Sequence, residues 1–207
     1  MTEYDLDTCL SGPILDSQEQ VIGVISAMDD RPRDFDDEDI HLLQTLAKRV
    51  GIELERGRAE ETTKRSYQTQ DVFNALLRIS MHNIPLSDQL EQALDVILAA
   101  PLMRAQPKGG IFLVEGDSEE LVLKTQRNLP PAQCSTCARV SFGTCLCGQA
   151  AASRQIHFVD CVDERHEIQY EGIEPHGHYT IPILSGEKTL GVIVLYLDEK
   201  HRKQARE

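Results

Sequence analysis

Apolar residues follow two rhythms along the chain. Pro13-Ile14-Leu15, seven residues and Gly23-Val24-Ile25 return later as Pro182-Ile183-Leu184, six residues and Gly191-Val192-Ile193. In each copy a short apolar strand meets a polar turn, Asp16 to Gln20 or Ser185 to Lys188. A second β-branched strand then starts at a glycine and ends at an acid, Asp29 or Asp198. Both copies read as β-hairpins, and their duplication implies two related modules. The first copy follows Met1 too closely for a sheet to have been built before it, so the first module is expected to be represented by its end alone. A helix is expected after the second copy as well, mostly beyond Glu207.

From Ile40 the rhythm changes to helical. Ile40, Leu43, Ala47, Val50 and Leu54 form a stripe behind the acidic start Asp36-Asp37-Glu38-Asp39. A polar stretch from Arg56 to Gln70 follows, and the stripe resumes at Phe73, Leu76, Leu77 and Ser80 until Asn83-Ile84-Pro85 ends it. A single helix over about 37 to 82 spans on the order of 65 Å, too long for one small domain. It reads as a signalling connector able to pair with a second copy of itself. The alternative is two helices with a loose joint near Gly57, because the middle lacks an apolar stripe.

The second module opens at Ser87-Asp88, where Asp88 and Glu91 have capping-box spacing, and Leu90, Ala93, Leu94, Ile97 and Leu98 form one helix face. Gly110 to Glu115 and Leu121 to Arg127 flank the turn Gly116-Asp117-Ser118 as a hairpin. Gln149 to Ser153 reads as a short helix and Ile156 to Val159 as a strand. An antiparallel sheet with helices on one side, an α+β layer, is the simplest assembly. The expected organisation is residues 1–56 as the end of a first module, 57–86 as a helical linker and 87–207 as the second module.

These segments resemble the GAF family of ligand-sensing domains. The second module carries Gly148-Gln149-Ala150-Ala151, then the strand Ile156-His157-Phe158-Val159-Asp160, then Tyr179 to Leu184 and Thr189 to Leu197. The first shows Met28-Asp29 leading to Arg33-Asp34-Phe35-Asp36-Asp37-Glu38-Asp39 and a helix. The resemblance implies a GAF-like antiparallel sheet with flanking helices, preceded by a partial GAF domain and a long connecting helix. It also implies a regulatory, non-catalytic input region of a larger sensor, often a histidine kinase, a cyclic-dinucleotide enzyme or a transcription regulator, with the output domain left open. The ligand is left open, because one fold hosts many binding sites.

The net charge of −13 repels nucleic acid and anionic membrane surfaces. The longest apolar run, Val192 to Leu197, cannot span a bilayer, and no basic stretch followed by an apolar core opens the chain, so a cytoplasmic location is expected. Six cysteines in a reducing compartment then point to metal, redox chemistry or packing rather than a disulfide framework. Cys134, Cys137, Cys145, Cys147 and Cys161 with His157, His166, His176 and His178 place nine potential ligands in 45 residues. Cys134-x-x-Cys137 and Cys145-x-Cys147 offer four soft ligands suited to zinc or to iron, including an iron–sulfur cluster. His176 and His178, two apart at the start of a strand, share one face beside the pocket, with Cys161 nearby as a further ligand. Asp160, Asp163, Glu164 and Glu167 belong to the intervening loop.

Three functions compete. The first is a sensory module that binds a metal or small ligand at the cysteine and histidine cluster and relays it through a helix, as a homodimer joined at the linker. The second is an enzyme, because Cys147-Gly148-Gln149-Ala150-Ala151 resembles a segment of GAF-type free methionine sulfoxide reductases. That family's isoleucine-alanine-cysteine-aspartate segment is missing, however, and Glu164-Arg165-His166-Glu167 stands near its place. The third is a dimerisation module with no ligand.

Overall fold

The computed structural model describes residues 7–101, 105–116, 118–161, 167–168 and 175–199. The chain divides into two compact units, residues 1–66 and 67–207.

In the first unit β1 (Thr8–Leu15) and β2 (Val21–Asp29) form an antiparallel hairpin. Its turn closes on Asp16, whose carboxylate accepts the amides of Gln18 and Gln20 at 2.9 and 2.8 Å. Helix α1 (Asp37–Met81) starts at a reciprocal cap. Asp36 accepts the Glu38 and Asp39 amides at 2.9 and 3.0 Å, and Asp39 accepts the Asp36 amide at 3.3 Å. The helix runs unbroken through Gly57. Of the expected stripe Leu43 and Ala47 are buried, whereas Ile40, Val50 and Leu54 stay exposed. The buried positions continue instead to Gly51, a step of four each time, because a narrow hairpin covers only one row of the helix. At Gly51 the two backbones come so close that a Cβ would lie 2.3 Å from the Leu15 carbonyl oxygen.

The second unit is built on a six-stranded antiparallel sheet in the order β5-β4-β3-β8-β7-β6. Its strands are β3 (Gly109–Val114), β4 (Glu120–Arg127), β5 (Arg139–Ser141), β6 (His157–Val159), β7 (Gly177–Ser185) and β8 (Lys188–Leu197). Helices lie on both faces rather than on one. On one side α2 (Leu86–Leu98) brings Ile97 and Leu98 against Tyr179, Leu195 and Leu197. On the other, α3 (Pro131–Thr136) and α4 (Cys145–Ser153) bring Cys134, Cys137, Cys147 and Ala151 against Phe112, Val192, Val194 and Tyr196. Central strand β8 is therefore covered twice, which is why its sequence is continuously apolar instead of alternating. Val192, Leu195 and Leu197 are completely buried.

The capping box expected of Asp88 and Glu91 does not form. Helix α2 begins one turn earlier behind Pro85, with no side-chain cap, and Asp88 falls inside the first turn. Glu91 joins Asp95 in holding Arg127 of β4, with Arg127 Nε 2.6 Å from Asp95 Oδ1 and Nη2 3.4 Å from Glu91 Oε2. Helix α3 and strand β5 escape a sequence reading because each is under two turns or three residues long. The turn residue Asp117 lies outside the described residues.

Truncation tests the double burial. Leu94 of α2 is fully buried, so Leu94→Ala should destabilise the second unit by about 2–5 kcal/mol. Leu77→Ala on the exposed surface of α1 should cost under about 0.5 kcal/mol. Urea unfolding compares the two.

Candidate functional site

Residues paired directly across antiparallel strands share a face, so the register places the candidate site. On β8, Val192, Val194 and Tyr196 face α3 and α4. Their partners Phe112 and Gly110 on β3 and Thr180 and His178 on β7 face the same way, as do His157 and Val159 on β6. This face is apolar in its middle and polar at its β6–β7 end.

His176 and His178 are both buried, and their rings meet edge to face at 4.5 Å. Each also packs on Tyr196, at 5.1 Å for His176 and 4.5 Å for His178. The Gln133 side-chain amide donates to the Tyr196 hydroxyl from α3. Lys108 Nζ stands 4.3 Å from the centre of the Tyr196 ring. Thr180 Oγ1 is enclosed on this face and has no hydrogen-bond partner among the described residues. His157, nearer the edge, is held by Ser153 at 2.9 Å. Sequence reasoning pointed to His176 and His178, but it missed Gln133, Thr180 and Tyr196. Their pattern within strands and a short helix looks like ordinary core sequence.

The cysteines come from three places. Cys134 lies on α3 and Cys137 caps its end; Cys145 and Cys147 occupy the first turn of α4. That turn is set by Gly148, where a Cβ would stand 2.1 Å from the Ser141 carbonyl oxygen, so the helix can seat against β5 only without a side chain there. The Gly143 amide donates to the Gly148 carbonyl at 2.8 Å and ties the same contact. Cys145 has φ +52°, a left-handed conformation that costs a non-glycine residue on the order of 1 kcal/mol. As a result Cys137, Cys145 and Cys147 line one cavity of about 20 Å³ together with Gln133, His178, Val194 and Tyr196. Cys134 packs at its rim, its thiol 3.8 Å from the Leu129 carbonyl oxygen. Cys161 lies just past β6 and is half-buried; it does not line the cavity. All six cysteines are free thiols. Among the described residues no three cysteine, histidine or acidic side chains already converge as a metal-ligand set.

Burial pushes the Cys137 thiol up from 9.0 to about 11, with Cys145 and Cys134 adding to the rise. Burial likewise pushes Cys147 up, reinforced by Cys145 and Cys137. Both thiols are therefore neutral at physiological pH. They are not activated as nucleophiles, which work as thiolates. Of the loop residues, Asp160 and Glu167 are exposed, and Asp163, Glu164 and His166 lie outside the described residues.

A raised folded-state value means that the fold favours the neutral thiol. The stability linked to it is complete below about pH 9 and is lost as pH rises toward 11. For reduced, metal-free protein the urea midpoint should fall across this interval, and fall less steeply in Cys147→Ala. Alkylation of the native protein near neutral pH should label exposed Cys9 before Cys137 or Cys147, as read by peptide mass spectrometry.

Comparison with known proteins places this geometry in a family. The GAF domain model matches residues 1–54, and a second GAF domain model matches residues 84–207. Among solved structures, the GAF domain of an Acinetobacter phosphoenolpyruvate-protein phosphotransferase is 16% identical with a TM-score of 0.53, covering 68% of this chain and 82% of that one. The corresponding GAF domain from Coxiella burnetii is 18% identical at a TM-score of 0.55, covering 68% and 83%. Free methionine-R-sulfoxide reductase from Neisseria meningitidis, in complex with its substrate, is 20% identical at 0.53, covering 68% and 79%. No curated protein matches the sequence. With the six-stranded sheet and its flanking helices, these matches establish that the chain belongs to the GAF domain family.

Proposed function

We propose that this chain is a non-catalytic sensory module of a signal-transduction protein, which binds a metal or small ligand at the cysteine and histidine cluster of its second unit. GAF domains are commonly sensory or regulatory, and the reading specifies where such a ligand would act. One observation carries it: a polar group of Gln133, His176, His178, Thr180 and Tyr196 is buried beside three thiols in an otherwise apolar core. A few polar side chains gathered in an apolar surround are what recognises and orients a bound ion or small molecule, and this supports a ligand site here. Occupancy would shift α3 and α4, and the sheet would transmit the change to α2 and so to α1, the segment through which two copies would pair.

Catalysis as a free methionine sulfoxide reductase is the second reading. It is supported by the likeness of fold to the Neisseria meningitidis enzyme and by Cys147-Gly148-Gln149-Ala150-Ala151. It requires a thiolate to attack the sulfoxide sulfur, and the enclosed Cys147 thiol is held neutral.

Native mass spectrometry of anaerobically purified protein tests the sensory reading. The expected result is a mass above that of the polypeptide, lost in His178→Ala while the far-ultraviolet circular dichroism is unchanged. A polypeptide-only mass in the parent protein, unshifted by added metal ions or cell-extract metabolites, overturns it. Thioredoxin-coupled turnover of free methionine sulfoxide would establish the enzyme reading in its place.

A further inference from the structure

We infer that the cavity between α3, α4 and the sheet takes a single soft metal ion, bound by the sulfurs of Cys137, Cys145 and Cys147 and an imidazole nitrogen of His178. This rests on the sensory reading above and names the chemical class of its ligand.

Size decides first. A cavity of about 20 Å³ has room for roughly one water-sized body. Pockets for organic ligands run to roughly 300–1,000 Å³. Nothing as large as a nucleotide, a bilin or an amino acid fits here without rebuilding the core, whereas an ion does.

The donors decide second. The lining residues able to ligate are three cysteines and one histidine, and the rest of the wall is Gly110, Phe112, Leu129, Leu146 and Val194, with Gln133 and Tyr196 between. Among the described residues this lining carries no carboxylate, the ligand type that calcium and magnesium prefer. Three sulfurs and one nitrogen are the donor set of a closed tetrahedral zinc site and also suit other thiophilic ions. Each cysteine that ligates gives its proton to solvent and binds as thiolate. Cys145 and Cys147 do so in the first turn of α4, where the exposed peptide dipoles favour negative charge.

The supporting shell is present as well. Tyr196 packs against the His178 ring at 4.5 Å and is fixed from the other side by Gln133. Thr180, one position further along the same face of β7, holds an enclosed hydroxyl with no partner among the described residues. Among the described residues no three of these donors, the imidazole included, yet surround one point, so binding requires the ion to draw them together. That inward movement of α4 residues is the signal that the site would generate.

This assignment differs from the four cysteines read from sequence spacing. Cys134 is at the rim and not in the lining, and His178 takes its place.

The test uses the whole chain, reduced and stripped with a chelator, then titrated with zinc and, separately, with cobalt(II). Expected are one ion per chain by elemental analysis and the intense visible ligand-field bands of tetrahedral cobalt thiolate. Cys137→Ser, Cys145→Ser and His178→Gln should each weaken zinc binding by at least about 100-fold, while Cys134→Ser and Cys161→Ser stay within about threefold of the parent. The parent cobalt spectrum needs no variant and stands even if one variant fails to fold. No stoichiometric ion, octahedral cobalt bands, or a loss in Cys134→Ser equal to that in Cys145→Ser overturns the assignment. An organic mass retained in native mass spectrometry without metal would overturn this assignment and leave the sensory reading standing.

Discussion

The double burial of β8 governs the second unit. A strand covered by α2 on one side and by α3 and α4 on the other must be apolar on both faces, and Leu195 and Leu197 meet that demand toward α2 while Val192 and Val194 meet it toward the cysteines. The demand breaks at Tyr196. Its ring fits the core, but its hydroxyl needs a partner in a place without water, and Gln133 supplies one from α3. That hydrogen bond ties the short helix, and with it Cys134 and Cys137, to a polar atom near the end of an apolar strand.

The same burial explains the chemistry of the thiols. Sulfur packs well in an apolar core as a neutral group, and the environment that accepts it opposes its ionisation. Cys137 and Cys147 are therefore quiet thiols as they stand. Only a positive charge placed among them reverses that balance, since a cation favours the thiolate by direct attraction. Local anchoring makes the arrangement reproducible: Gly148 permits the backbone contact with Ser141, and Cys145 accepts a strained left-handed conformation to start α4 there.

The first unit shows what the same pattern does without its surroundings. Gly23-Val24-Ile25 and Gly191-Val192-Ile193 are identical save for one neighbour-dependent fact: Val24 is 64% exposed and Val192 is fully buried. In both units the hairpin forms, because turn chemistry and β-branched residues act locally. In the second, a third strand pairs with β8, and α2 on one face and α3 and α4 on the other cover it. In the first, the hairpin packs on α1 along Leu43, Ala47 and Gly51.

Much of the fold was legible from residues alone. Hairpins, the start of α1 at Asp36 and its end before Pro85, and the helix face around Leu94 all follow from short-range periodicity, caps and breakers. Duplication of the hairpin, read with its flanking motifs, was enough to indicate the family. Sequence also brought His176 and His178 together, because residues two apart in extended chain share a face; His176 stands just before β7 and His178 within it. It could not sort the cysteines. Cys134, Cys137, Cys145 and Cys147 look equivalent by spacing, yet three line the cavity and one packs beside it, and even Cys134 and Cys137 of the same short helix part ways. Nor could it find Gln133, Thr180 and Tyr196, which lie up to 63 residues apart and meet only across the sheet. Which side chains share an enclosed space is decided by strand register and by which helix covers which face, and neither is encoded in any local stretch of the chain.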